Sequence, residues 1–142
     1  MLQCRSKSIE MKILSVDPGG HTGFAYYVDG LITTQMLLIN KVMLEIDRGA
    51  YKDVEIVIIE RFSTAGLISR YGLETVDLVG QIKGWCLARE RDCRIRPPQS
   101  RKAGQDIAHD MLTDFKHVIH EEDALAHLVV FLEQQHKPYR IK

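Results

Sequence analysis

The chain contains no apolar run near the ~18 residues that a membrane span requires. Its opening decapeptide, MLQCRSKSIE, lacks the apolar block of a signal peptide. These two absences set the expectation of a cytoplasmic protein with no membrane partner. There are only three cysteines, Cys4, Cys86 and Cys93, and no Cys-x-x-Cys pair. An odd count without that spacing argues against a disulfide framework and against the usual zinc knuckles. Net charge is also missing, 19 basic residues being matched by 19 acidic ones, so no bulk field draws the chain onto a polyanion. Repeats and low-complexity segments are absent too.

What remains is 142 residues, 45% of them hydrophobic, as in an ordinary globular protein. That length is enough for one domain with a substantial core. Residues 1–10 read as a loose N-terminal extension, 11–135 as the domain, and 136–142 as a basic tail carrying Lys137, Arg140 and Lys142. Charge is unevenly spread. Between Arg89 and Lys102, RERDCRIRPPQSRK sets six basic residues against only Glu90 and Asp92, while acids gather in HEED, 120–123. A basic cluster of this kind is commonly just a solvated face, but it can also follow a phosphate backbone.

Residues 12–17 alternate as a strand does, with Ile13, Ser15 and Asp17 on one side and Leu14 and Val16 on the other. Two β-rich runs then flank Asp29-Gly30, a strong type I′ hairpin signal. Asn40 is the expected N-cap of a helix through KVMLEIDRGAY. VEIVIIE, 54–60, is apolar on both faces except at Glu55, which marks a central strand. From Gly72 to Arg91 the period is helical, with Leu73, Val76, Val79 and Ile82 as one stripe and Leu78 and Trp85 beside it. CRIRPP gives a last strand stopped by Pro97 and Pro98. A short helix from Ser100 to about Leu112 and an amphipathic helix through HEEDALAHLVVFLEQQ complete the chain. The order βββαβαβ followed by helices predicts an α/β fold, a mixed five-stranded sheet with helices on both faces. Right-handed crossover makes VEIVIIE parallel to one of the first three strands.

Three acids interrupt this apolar pattern. Asp17 ends one apolar strand before Pro-Gly-Gly, Glu60 ends another, and Asp123 falls in the expected first turn of the last helix, with His120 and His127 on its face. Each has a plainer reading alone: a turn residue, a solvated strand end, a helix-terminal charge, an N-cap-like histidine. Brought together, their mutual repulsion would be offset by a hard divalent cation with oxygen ligands. Two such ions can bind the attacking and leaving oxygens of a phosphodiester.

SVDPGGHTGFAYY, IVIIERF and HEEDALAHLVVFL resemble the three acidic motifs of the RuvC-type Holliday-junction resolvases, members of the RNase H-like nuclease superfamily. The first and last motifs are fairly specific together, and the resemblance spans most of residues 11–133. It implies an RNase H-like fold, three antiparallel strands and then αβαβα, with the first and fourth strands adjacent. It implies Asp17, Glu60, His120 and Asp123 as the catalytic, metal-ligating set, with Glu121 or Glu122 as alternatives to His120. Two Mg²⁺ ions per site would activate the attacking water, Mn²⁺ being able to substitute. It further implies a homodimer built on the helix carrying Gly80, Gly84 and Trp85, paired nicks that leave 5′-phosphate ends, and branched DNA as partner. Arg61, Phe62 and Arg70 around the loop after Glu60, with Arg101 and Lys102 in PPQSRK, are the implied DNA contacts. The segment between Lys102 and His120 is short for a cellular member and would suit a compact viral one. The alternatives are another RNase H-like nuclease (YqgF-like RNA processing) and a non-catalytic junction-binding protein. DPGGHTG also resembles the first phosphate loop of actin-like ATPases, but those enzymes close two domains around ATP and this chain has room for one.

Overall fold

Alternation and turn chemistry build the first half of the sheet. β1 (Ile13–Asp17), β2 (His21–Val28) and β3 (Leu31–Leu38) form an antiparallel meander. Asp29 and Gly30 take φ values of 53° and 82° between β2 and β3, the left-handed pair that a type I′ turn needs. The computed structural model describes residues 11–61, 70–112 and 119–141. The expected extension over 1–10 lies outside the described residues.

The helix α1 (Ile39–Asp47) starts without the expected Asn40 cap. Leu38 holds the cap position with no side-chain hydrogen bond, and the Ile39 N–H donates instead to the Gly20 carbonyl at 3.0 Å. Because β3 runs straight into the helix, the cap falls on the last strand residue and a neighbouring loop satisfies the exposed amide. The fully buried β4 (Ile56–Glu60) then lies parallel to β1, and β5 (Asp92–Arg96) parallel to β4, with α2 (Arg70–Ala88) between them in sequence. The helices α3 (Pro98–Leu112) and α4 (Ile119–Gln134) follow.

Among the described residues the sheet has six strands rather than five, in the order β5-β4-β1-β2-β3-β6. The added strand is β6 (Arg140–Ile141), two residues of the basic tail paired parallel with β3. Without it β3 would present an open edge. The Tyr27 hydroxyl donates to the Pro138 carbonyl at 3.0 Å and the Arg140 N–H to that of Gly30 at 2.9 Å, so the tail docks on the hairpin.

Two cores sandwich the sheet. Ile13, Ile56 and Ile58 pack against Ala108 and Leu112 of α3 and Leu125, Leu128 and Leu132 of α4. Leu14, Val16, Val57 and Ile59 face the other way, onto Val42 and Ile46 of α1 and Leu78, Ile82 and Trp85 of α2. One element differs from its expected orientation. The buried face of α2 runs through Thr75, Leu78, Ile82, Trp85 and Cys86, whereas Leu73 and Val76 are 52% and 45% exposed. An apolar stripe seen in sequence does not say which side meets the sheet. Cys86 and Cys93 are free thiols that share a hydrogen bond between α2 and β5, which raises the pKa of Cys86 and lowers that of Cys93. No helix among the described residues is long and apolar enough to cross a membrane.

The helices α3 and α4 approach closely at Gly104. A Cβ there would stand 2.3 Å from the Ala126 carbonyl oxygen and 2.9 Å from Val130 Cγ2. Replacing Gly by Ala within a helix gains about 1 kcal/mol of propensity, but forcing two backbones apart costs more, typically about 1–3 kcal/mol. The clash involves main-chain atoms, so packing wins. Gly104→Ala is expected to lower the melting temperature by roughly 5 °C, read by calorimetry; an increase would mean that the helices separate freely.

Candidate active site

Because β1, β4 and β5 are parallel, their C-terminal ends share one end of the sheet. Val16 pairs with Ile59, so Asp17 and Glu60 occupy the next position on neighbouring strands, which run roughly 4.8 Å apart. Ile13, Ile56 and Ile58 belong to the α4-side core, and the two-residue period therefore turns Asp17 and Glu60 toward α4 as well. The expected adjacency of the first and fourth strands is met. The Pro-Gly-Gly corner that follows Asp17 is held by Thr22, whose hydroxyl donates to the Gly19 carbonyl at 2.9 Å. This local tie gives Asp17 a fixed place at its strand end.

Asp123 is the fifth residue of α4, one past the first turn, which carries Glu121 and Glu122 instead. It was expected within that turn. Since the dipole effect fades beyond the first turn, its position owes more to burial of Ala124, Leu125, Leu128 and Val129 on either side. Asp17, Glu60 and Asp123 are 7%, 9% and 5% exposed, deep for three carboxyl groups.

One helical turn further along α4, His127 is 2% exposed. Its Nε2 lies 3.7 Å from Glu60 Oε2. That contact sets α4 against the end of β4, and Asp123 lies one helical turn before His127, roughly 5.4 Å along the axis. His127 is absent from the sequence-derived ligand set. Its spacing of four from Asp123 was the available signal, but a period places a residue on a face without giving its depth.

The fourth position is narrowed by its alternatives. Glu121 Oε2 accepts a hydrogen bond from Thr34 Oγ1 at 2.8 Å, and Glu122 Oε2 lies 3.1 Å from His109 Nδ1. The Glu121 side chain is therefore engaged by β3 and that of Glu122 by α3. His120 is the second residue of α4, three before Asp123, while its side chain lies outside the described residues, as do Phe62 and the side chains of Arg70 and Arg101. Arg61 and Lys102 are both exposed. The Arg61 N–H donates to the Arg96 carbonyl at 2.7 Å, and Arg96 is paired in register with Glu60. Arg96 thereby joins the candidate DNA contacts, brought to the acids by β4–β5 pairing.

Carboxylate oxygens are the donors a hard divalent ion takes, and Asp17, Glu60 and Asp123 are buried on two strands and a helix. Among the described residues no group of three or more His, Cys, Asp or Glu side chains is arranged to hold an ion by itself. A Mg²⁺ site commonly takes one or two carboxylates from the protein and completes its shell with water and substrate phosphate. Asp17 and Glu60 are two buried carboxyl groups at adjacent strand ends.

No family model and no curated protein matches the chain. Solved structures do. The Thermus thermophilus RuvC in complex with a Holliday junction substrate superposes with a TM-score of 0.65 at 12% identity, covering 88% of this chain and 96% of that one. A second Thermus thermophilus RuvC structure gives 0.65 at 12%, covering 89% and 98%. Fowlpox virus resolvase, in complex with substrate Holliday junction DNA, gives 0.59 at 14%, covering 86% and 99%. The chain has the RNase H-like fold of these resolvases over nearly their whole length.

Proposed function

We propose that this chain is a metal-dependent, structure-specific endonuclease that resolves four-way DNA junctions by paired nicks. The observation that carries the reading is the pair of buried acids at adjacent strand ends, Asp17 and Glu60. Likeness in fold to two resolvases over nearly full length supports it. Divalent ions, two per site, would supply an activated water and neutralise charge on the leaving oxygen. Asp17 and Glu60 would hold them from the sheet, and Asp123 with His120 from the helix. Arg61 and Arg96 lie at the Glu60 strand end and Lys102 is exposed on α3, and these cations would position a phosphodiester without reading bases.

A second copy of the chain completes the proposal, because one site cuts one strand. The exposed side of α2 offers the surface: Leu73, Val76 and Leu87 are 52%, 45% and 81% exposed, and Gly80 and Gly84 lie between them with nothing within 4 Å of an added Cβ. At 100° per residue these five positions form a single stripe opposite the buried one.

The deciding experiment is cleavage of labelled four-way, three-way and linear DNA and of structured RNA, each with Mg²⁺, Mn²⁺ or chelator. The expected result is metal-dependent symmetric cutting of the four-way junction, with binding that weakens steeply as salt rises. Preferred cutting of RNA would move the chain to RNA processing. Tight junction binding with no cutting in either metal would make it a binding protein.

A further inference from the structure

Among the described residues, His127 is an anomalous side chain. Its side chain is wholly buried, and neither ring nitrogen has a hydrogen-bond partner. A buried imidazole left this way costs roughly 1–3 kcal/mol. An apolar residue would serve the α4 core at least as well, as Leu128 and Leu132 do on the same helix. The side chain is aimed at one polar group, Glu60 Oε2, at 3.7 Å. That separation is too long for a hydrogen bond, and movement of the carboxylate by less than an ångström closes it.

We infer that His127 is a positioning residue for Glu60, approaching one carboxylate oxygen from the buried side and leaving the other turned toward the ion site. The inference rests on the metal-site reading above and extends it, since the resemblance places its histidine at 120 and assigns nothing to 127. In the neutral tautomer with the proton on Nε2, the ring donates to Glu60 Oε2 and fixes the carboxylate plane. Such outer contacts orient metal-ligating carboxylates elsewhere, and losing one typically weakens metal affinity by about 10–100-fold. Ser15 Oγ is buried without a hydrogen-bond partner as well. It lies on the same strand face as Asp17, two residues earlier, so unpaired polar atoms flank the ligand pair on the sheet and the helix alike.

Mn²⁺ affinity, measured by titration calorimetry and by the electron paramagnetic resonance of free Mn²⁺ without DNA, tests this on the full chain. His127→Leu should keep the fold, with a melting temperature in chelator at or above that of the wild type, while losing roughly 10–100-fold in affinity. His127→Gln, whose amide can donate from nearly the same point as Nε2, should recover most of that loss. Equal impairment of both variants would overturn the inference, showing that His127 acts by shape alone. Unchanged affinity in His127→Leu, with affinity lost in Asp17→Asn, would overturn it and leave the site reading standing. Wild-type protein that binds no Mn²⁺ would remove both.

Discussion

Asp17→Asn should reduce junction cutting about a thousandfold or more, while the dissociation constant for the junction stays within about threefold. The change removes one negative oxygen from the pair that would hold the ions. A rate loss of that size corresponds to about 4 kcal/mol of transition-state stabilisation. Binding survives because it depends on cations and shape rather than on the acids. The same variant carries a second expectation of opposite sign. Asp17 and Glu60 are buried at adjacent positions of neighbouring strands, and two carboxylates so placed repel in a medium that screens them poorly. Removing one charge should raise the melting temperature in chelator by a few degrees. Added Mg²⁺ should stabilise the wild type and have little effect on the variant. Cleavage near the wild-type rate would end the assignment of Asp17 as a ligand. A lower melting temperature in chelator would show that its carboxylate makes contacts worth more than the repulsion.

This variant is the natural first test because Asp17 and Glu60 are the part of the site most legible in the sequence. An acid closing an apolar strand is visible to simple alternation, right-handed crossover makes β4 parallel to one of the first three strands, and the resemblance names β1 as its neighbour. Sequence signals were weakest where three-dimensional choices were made between equivalent options. The face of α2 that meets the sheet was misjudged because Leu73 and Val76 are as apolar as Leu78 and Ile82. Asn40 suits a cap, yet the β3–α1 junction was set two residues earlier, at Leu38, with the Ile39 amide bound to the Gly20 carbonyl. The sixth strand was missed because Arg140–Ile141 is too short to alternate, and its pairing is decided by the free edge of β3. His127 belongs to the same class. Its neighbours Ala126 and Leu128 are core residues, and only register across the helix–sheet contact brings it to Glu60.

The exposed side of α2 makes the second strong prediction. Leu87 is 81% exposed and Gly84 has nothing within 4 Å of an added Cβ, so the single chain has room for a large residue at position 84. Gly84→Arg should therefore fold at least as well as the wild type. Arg exceeds Gly in helix propensity by about 0.8 kcal/mol, enough to raise the melting temperature of a monomer by roughly 2–4 °C. In the proposed dimer the same residue sits where two helices meet over small side chains, and a guanidinium buried without a partner costs several kcal/mol. Light scattering should find the wild type near twice its 16.3 kDa chain mass and the variant near that mass itself. On a four-way junction the variant should make single, uncoordinated nicks and lose most of the linear duplex product, with its acids intact. A variant that remains dimeric and resolves junctions normally would place the interface elsewhere. A wild type that is monomeric both free and on DNA would leave the Leu73–Leu87 stripe without its proposed occupant and remove the geometric basis for paired cutting.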